Sequence, residues 1–400
     1  MGASRLHGKA VGAMKPHFLF HRPTPWDSDI RCSTKVLARL TAEAGCTVTY
    51  LEAPYDPINL LRGRPRTEGQ RHDDGIRILT PRTPVPVRDV WPLSGKRAAG
   101  LRYALARPSI AEAVAAGGRG RPDVVWTTVP GSGRALRRLF PRARLVFHVV
   151  DYYPAFRGDA VQALEREDYA VADDIMTIGH GLSNYLIETL GVPSGKITVM
   201  GQGVDVALYR GVSGRPEDIR DLPRPLAVWV GVLAKGDPDL FRAAADAARQ
   251  AGGSIVLIGP RAGWADALER DFPHVVRCLG SRPPEAIPAY LVAADAGLML
   301  YARDRETVYR GQNPLKLYEY AAAGLSIVST PHDEYAHLDP PVVLVSSPDE
   351  ARAATLRVLT EGKSPSAASL DFARRHDWRA MVASILGRFG PADPAVEPAA

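Results

Sequence analysis

Short apolar, β-branched runs alternate with longer amphipathic runs along nearly the whole chain, and few folds accept that alternation. A parallel strand needs a long crossover, and the crossover helix packs back on the sheet, so repeated strand–helix units build parallel sheets covered on both faces. In the first half, the runs at residues 17–20, 47–52, 76–80, 123–129, 144–150, 174–178 and 197–200 read as strands. In the second half, those at 226–232, 254–258, 275–279, 296–300, 326–329 and 342–345 do. Each group is the size of one doubly wound sheet, and 400 residues exceed the roughly 150–200 of one ordinary core. The expected fold class is α/β, with two Rossmann-like doubly wound parallel-sheet domains facing across a cleft.

Residues 209–225 are rich in Gly, Pro and charge and show no apolar periodicity, which places the domain boundary there. The expected division is a flexible leader at 1–13, an N-terminal Rossmann-like domain at 14–205 and a linker at 206–225. A second Rossmann-like domain follows at 226–372, then a C-terminal helix at 373–389 with the first domain as candidate packing partner, then a disordered Pro/Ala-rich tail at 390–400. Asp237-Pro238, Asn313-Pro314 and Ser347-Pro348 each put a capping side chain before a proline at the first helical position. Gly252 and Gly324 follow helical runs, as left-handed terminators do.

Composition removes several function classes. Three cysteines, few and far apart, have no metal-ligand spacing and read as reduced thiols of a cytoplasmic protein. No apolar run reaches the ~18 residues of a membrane span, and the first 13 residues lack the apolar core of a signal peptide. The net charge of +6 gathers at 62–71, 97–107 and 134–144. A solvated basic surface is the plain reading. Peripheral contact with anionic lipid on the inner face of the membrane, or with a phosphorylated acceptor, is the sharper one. The basic runs lack interleaved aromatics, so nucleic acid is not an expected partner. Trp91 with Arg88, Lys96, Arg97 and Leu101 forms a basic amphipathic segment: an acceptor loop, a membrane contact or a cover for the core.

No G-x-G-x-x-G follows a strand and no G-x-x-x-x-G-K-[ST] occurs, which demotes a dehydrogenase and a P-loop nucleoside triphosphatase. The informative segment is R-G-Q-N-P-L-K-L-Y-E-Y-A-A-A-G-L-S-I-V-S-T, residues 310–330. A loop ends at Asn313, a helix follows, Gly324 stops it and a buried strand comes next. The helix start offers free N–H groups and favours an anion by about 0.3–1 kcal/mol, up to ~2 when partly buried. Lys316 in the first turn opposes that dipole unless an anion is present. Glu319 is one turn on, where a carboxylate can accept two hydrogen bonds from a ribose diol. The same residues also fit a capped surface helix with a weak Lys316–Glu319 pair.

The stretch N-P-L-K-L-Y-E-Y-A-A-A-G-L-S-I-V-S-T resembles the donor-site helix of family 4 glycosyltransferases of the two-domain GT-B type. I-V-L-I-G-P at 255–260, L-G-S-R-P-P-E-A-I-P-A-Y-L-V-A-A-D-A-G-L-M-L-Y at 279–301 and G-V-D-V-A-L-Y at 203–209 also resemble that family. So do T-P-W-D near residue 25, V-V-D-Y-Y-P-A-F at 149–156 and A-D-D-I-M-T-I-G-H-G-L-S at 172–183. The resemblance implies that Glu319 binds the donor ribose and Lys235 the diphosphate. It implies that Asn313, Leu315 and Lys316 receive the phosphates and that Gly231 and Val232 form the tight turn beneath the nucleotide. Asp151 and His148 fall where the first domain faces the reacting sugar.

Three positions depart from the pattern. Gly311 replaces a second glutamate eight residues before Glu319. No arginine occurs within 231–235, leaving Arg310 or Arg303 as substitutes, and the glycine loop after the first strand is replaced by Arg22-Pro23-Thr24-Pro25-Trp26-Asp27. The implied activity is hexosyl transfer from a UDP- or GDP-linked sugar, with retention, to a small-molecule natural-product or cell-envelope acceptor. Lys235, Lys316 and the helix start would stabilise the leaving diphosphate; His148 or Asp151 would orient the sugar or acceptor. The nucleotide sugar is a co-substrate, no cofactor is tightly bound and no metal is required. The Ala/Arg/Gly/Pro-heavy composition suggests a GC-rich bacterial source. The alternatives are a catalytically degenerate nucleotide-sugar-binding protein and a GT-B sugar-nucleotide epimerase. Asp27-Ser28-Asp29 is a D-x-D of the kind that binds metal in the other major glycosyltransferase fold, whose single-domain organisation this chain lacks. Asp173-Asp174 reads as a helix end and strand start, and His180 as a helix opener or a cleft contact.

Overall fold

A computed structural model describes residues 15–28, 32–62, 69–86, 96–117, 120–303, 312–361 and 366–389. The expected leader and tail, Trp91 with Arg88, Asp29, Arg310 and Gly311 lie outside the described residues.

Two sheets carry the fold. The first comprises β1 (His17–His21), β2 (Thr47–Leu51), β3 (Gly69–Asp73), β4 (Ile76–Thr80), β5 (Val124–Thr127), β6 (Arg144–Val149), β7 (Asp174–Thr177) and β8 (Ile197–Val199). Their order is β3-β4-β2-β1-β5-β6-β7-β8. The second comprises β9 (Leu226–Val230), β10 (Ser254–Ile258), β11 (Val276–Gly280), β12 (Ala296–Met299), β13 (Ser326–Ser329) and β14 (Val342–Leu344), in the order β11-β10-β9-β12-β13-β14. Among the described residues, every pairing of these strands is parallel except β3 with β4. The near-continuous burial of β1, β5 and β10 follows from helices on both faces.

Sequence periodicity missed β3, whose residues Gly69–Asp73 are polar and mostly exposed. The available signal was the Asp74-Gly75 turn before β4: both residues have positive φ, 45° and 78°, as a two-residue hairpin turn of this hand requires.

One face of the first sheet buries Phe18, Phe20, Tyr50, Trp126 and Val146 against Trp378, Val382, Ile385 and Phe389 of the last helix, Trp378–Phe389. That helix thus belongs to the first sheet although Phe372 and Ala373, just before it, sit in the second core. Residues 206–225 are built onto the second core through Tyr209, Ile219 and Leu222. Three isolated anchors in a Gly/Pro-rich stretch have no period to read.

Candidate active site in the inter-domain cleft

The carboxyl ends of both sheets face one cavity of about 680 Å³, within the range of small-ligand sites. Arg22, Ser33, Asp151, Ile178 and Gln202 line it from the first half. Gly231, Val232, Lys235, Gly259, Arg282, Tyr301, Asn313, Leu315, Lys316 and Glu319 line it from the second.

Backbone forms the floor on the second side. Gly231 follows β9 at φ 134° and Gly259 follows β10 at φ 151°. Gly231 N–H donates to Ile258 O at 2.8 Å, and Gly259 N–H donates to Gly280 O at 3.0 Å. A Cβ on Gly259 would lie 1.8 Å from Gly231 O, so only glycine fits this close approach.

The 3₁₀ turn Leu233–Lys235 returns Lys235 to the cavity. Burial lowers the Lys235 pKa and the charge of Asp151 raises it. Burial raises the Asp151 pKa, opposed by Arg22 and Lys235. The carboxylate and the two cations therefore share one electrostatic neighbourhood at the cleft.

The helix expected to start at Asn313 runs Leu315–Ala322, with Pro314 at the N-cap and no side-chain cap. The expected Asn313 cap is thus corrected. Asn313 Nδ2 instead donates across the cleft to Ile178 O at 2.7 Å, and Oδ1 accepts from Tyr318 OH at 2.8 Å. Pro314 offers the first-turn N–H groups no side-chain cap beside the cavity, and Leu317 N–H donates to Pro314 O at 3.1 Å. Leu317 through Ala322 are all buried, so the surface-helix alternative does not hold. Glu319 is only 8% exposed yet lines the cavity. Lys316 lays its Nζ over the rings of Trp229 and Tyr301. Burial holds its pKa well below the ordinary lysine range, with Lys235 adding to this and Glu319 opposing it.

Two expected site residues are elsewhere. His148 is fully buried, edge-on to Trp126 at 5.4 Å, and is not among the cavity-lining residues. It shares the sheet face of Val146, which the last helix covers, whereas Asp151 lies beyond the strand end. Burial pushes the imidazole down to about 3, so it is neutral at physiological pH. Arg303 ion-pairs with Asp237 at 2.8 Å and Asp239 at 3.2 Å. It thereby braces the helix N-cap formed by Asp237 rather than standing in for the missing cleft arginine.

His180 does reach across the cleft, but to Glu334. Its N–H donates to Oε2 at 2.7 Å, its Nδ1 lies 2.9 Å from Oε1, and its ring stacks on His337 at 3.8 Å. Asp27 pairs with Arg71 at 3.0 Å. Asp173 pairs with Arg137, and Asp174 with Arg144 and Arg388, as structural ion pairs.

Sequence reading passed over Arg22 and Arg282 as site residues. Arg22 immediately follows β1, the usual ligand end of an open α/β sheet. Arg282 follows β11 and is fixed by Asp218 at 2.8 Å and Tyr290 OH at 3.1 Å. Asp218 comes from the segment 206–225, which lacks periodicity and gave no hint of the contact.

Residues 33–203 match the glycosyl transferase 4-like domain. The putative teichuronic acid biosynthesis glycosyltransferase TuaH of Bacillus subtilis is 23% identical over 303 residues, covering 70% of this chain and 75% of that protein. Sucrose-phosphate synthase of Thermosynechococcus elongatus superposes with a TM-score of 0.69 at 15% identity, over 94% of this chain and 98% of that one. Anabaena HepE in complex with UDP and glucose gives a TM-score of 0.64 at 14% identity, over 93% and 98%. The fold is GT-B, two Rossmann-like domains about a cleft. The chain is a glycosyltransferase of this type, resembling family 4.

Proposed function

We propose that this enzyme transfers a hexosyl group from a nucleoside diphosphate sugar held by the second domain to an acceptor received by the first, with retention at the anomeric carbon. The observation that carries the reading is the convergence of Lys235, Lys316, Glu319 and an uncapped helix start on one cavity. UDP is the first donor nucleotide to test, since HepE binds UDP and UDP-glucose; GDP is the second. The likeness to TuaH supports a cell-envelope acceptor.

In this reading the bond from the anomeric carbon to the leaving phosphate oxygen breaks and a bond to the acceptor oxygen forms on the same face. The acceptor proton passes to the departing phosphate. Negative charge grows on the diphosphate as it leaves. Lys235, Lys316 and the first-turn N–H groups of Leu315–Ala322 are fixed there before the reaction, so they favour the transition state over the ground state. Glu319 accepts from the ribose hydroxyls, and Asp151 orients the sugar or acceptor beside Lys235. These cations supply the charge a metal otherwise would.

Among the described residues no helix is long and apolar enough to cross a membrane. Peripheral contact with anionic lipid belongs to the proposal. It is supported by Leu101, 50% exposed beside Arg102 on the helix Lys96–Ala104, and by Leu105, 40% exposed just past its end. Incubation with UDP-glucose or GDP-mannose tests the reading: release of nucleoside diphosphate, stimulated by an envelope-glycan acceptor, is expected. Nucleotide binding without release under any acceptor favours the degenerate binding protein, for which the displaced Arg303 is the specific argument.

A further inference from the structure

A lysine amine ordinarily reaches for water. Lys316 instead places Nζ 3.3 Å from the centroid of the Trp229 ring and 4.8 Å from that of Tyr301. Neither ring is free to turn away. Trp229 is fully buried on β9, edge-on to Phe241 at 5.3 Å and tilted against Tyr301 at 5.2 Å. Tyr301 follows β12 and packs edge-on to His332 at 5.1 Å. The third wall is Gly231, two residues after Trp229: a Cβ built there would lie 3.1 Å from Nζ. The amine fills the space that any other residue at 231 would claim. Tyr301, Gly231 and Lys316 all line the cavity, so an anion entering it meets the amine at this point.

We propose that Trp229 and Tyr301 are positioning residues whose ring faces hold the Lys316 amine, in its charged form, against Gly231 for the diphosphate of the donor. The inference rests on the donor-site reading above. Ring faces attract an ammonium electrostatically, and most strongly where water is excluded. Burial and the charge of Lys235 act against a charged Lys316, and the Glu319 carboxylate favours it. The rings offset part of that penalty and fix where the charge stands before any ligand arrives. Without them the amine would lose its proton at lower pH, and UDP binding would fall off earlier on the alkaline side.

The test is calorimetric titration with UDP across pH, on the full chain. Trp229→Leu is expected to weaken UDP binding about tenfold, Trp229→Phe much less, and the alkaline limb of affinity moves to lower pH in Trp229→Leu. In a Lys316→Met background the Trp229→Leu change costs nothing further. If Trp229→Leu does not fold, uniform replacement of tryptophan by a fluorinated analogue removes ring electron density at nearly constant shape. It should weaken UDP binding in the parent and leave Lys316→Met unchanged. Equal losses with and without Lys316, or an unmoved alkaline limb, overturn the cradle and make Trp229 a core residue only. A parent protein that binds neither UDP nor GDP overturns the donor-site reading and the cradle with it.

Discussion

Glu319 and Lys235 face the same cavity from different elements, and each makes a separable prediction. Glu319→Ala should weaken UDP binding by roughly 1–3 kcal/mol, the scale of hydrogen bonds to a charged group; a titration that finds the affinity unchanged removes Glu319 from the ribose site. Lys235→Ala should cut turnover severalfold or more while leaving the melting temperature nearly where it was, and wild-type turnover would contradict the leaving-group role. Burial lowers the pKa of both Lys235 and Lys316 in the free protein. A bound diphosphate raises them again, so binding takes up protons between the free and bound values. UDP affinity should therefore decline as pH rises through the free-protein values, and calorimetry in buffers of different ionisation enthalpy should detect net proton uptake. The placement of Lys235 and Asp151 just past strand ends, and of Glu319 on the helix Leu315–Ala322, all three lining the cavity, was legible in the sequence; the roles given to them belong to the proposal. The placement of His148 was not, because the face a strand residue presents depends on which helix covers it. That helix, Trp378–Phe389, comes from the far end of the chain.

At the scale of elements, the site depends on how strands end. Gly259→Ala would drive a methyl into Gly231 O, so it should destabilise the second domain by more than ~1 kcal/mol and weaken UDP binding as well. A stable Gly259→Ala protein with normal affinity would mean the two strand ends are not packed as described. The loop after β7 is pinned from the second domain twice, at Ile178 by Asn313 and at His180 by Glu334. Gly179 between them has no room for a side chain, since its Cβ would lie 2.6 Å from Glu334 Oε2. Glu334→Ala leaves the His180 N–H without this acceptor, at a cost of roughly 1–3 kcal/mol. Scanning calorimetry should show the transitions of the two halves moving apart; one unshifted transition would contradict the clasp. The caps at Asp237 and Ser347 were readable because they are local chemistry. Asn313 has the same local pattern but is claimed by a partner 135 positions away, and short-range signals carry no information about that.

For the whole molecule, the chain crosses between the halves twice and the crossings lie together. Val204 N–H donates to His376 O at 3.0 Å, and Trp378 N–H donates to Val204 O at 3.0 Å. Arg379 reinforces the pair through Asp205 and Glu43. Under the proposed function, these two adjacent crossings would be the pivot about which the cleft closes over a donor and excludes water. The division into two sheets was plain from alternation alone, while the anchoring of residues 206–225 on the second core was hidden by their composition. The central claim is that the second domain holds a nucleoside diphosphate at Glu319. Thermal unfolding with UDP, beside Glu319→Ala, tests it most directly. At ~100 times its dissociation constant a ligand adds about 2.7 kcal/mol, or roughly 2–4 °C for a domain of this size. A shift of that order in the parent that vanishes in Glu319→Ala is the predicted result; no shift with UDP or GDP, or an equal shift in the variant, would contradict it.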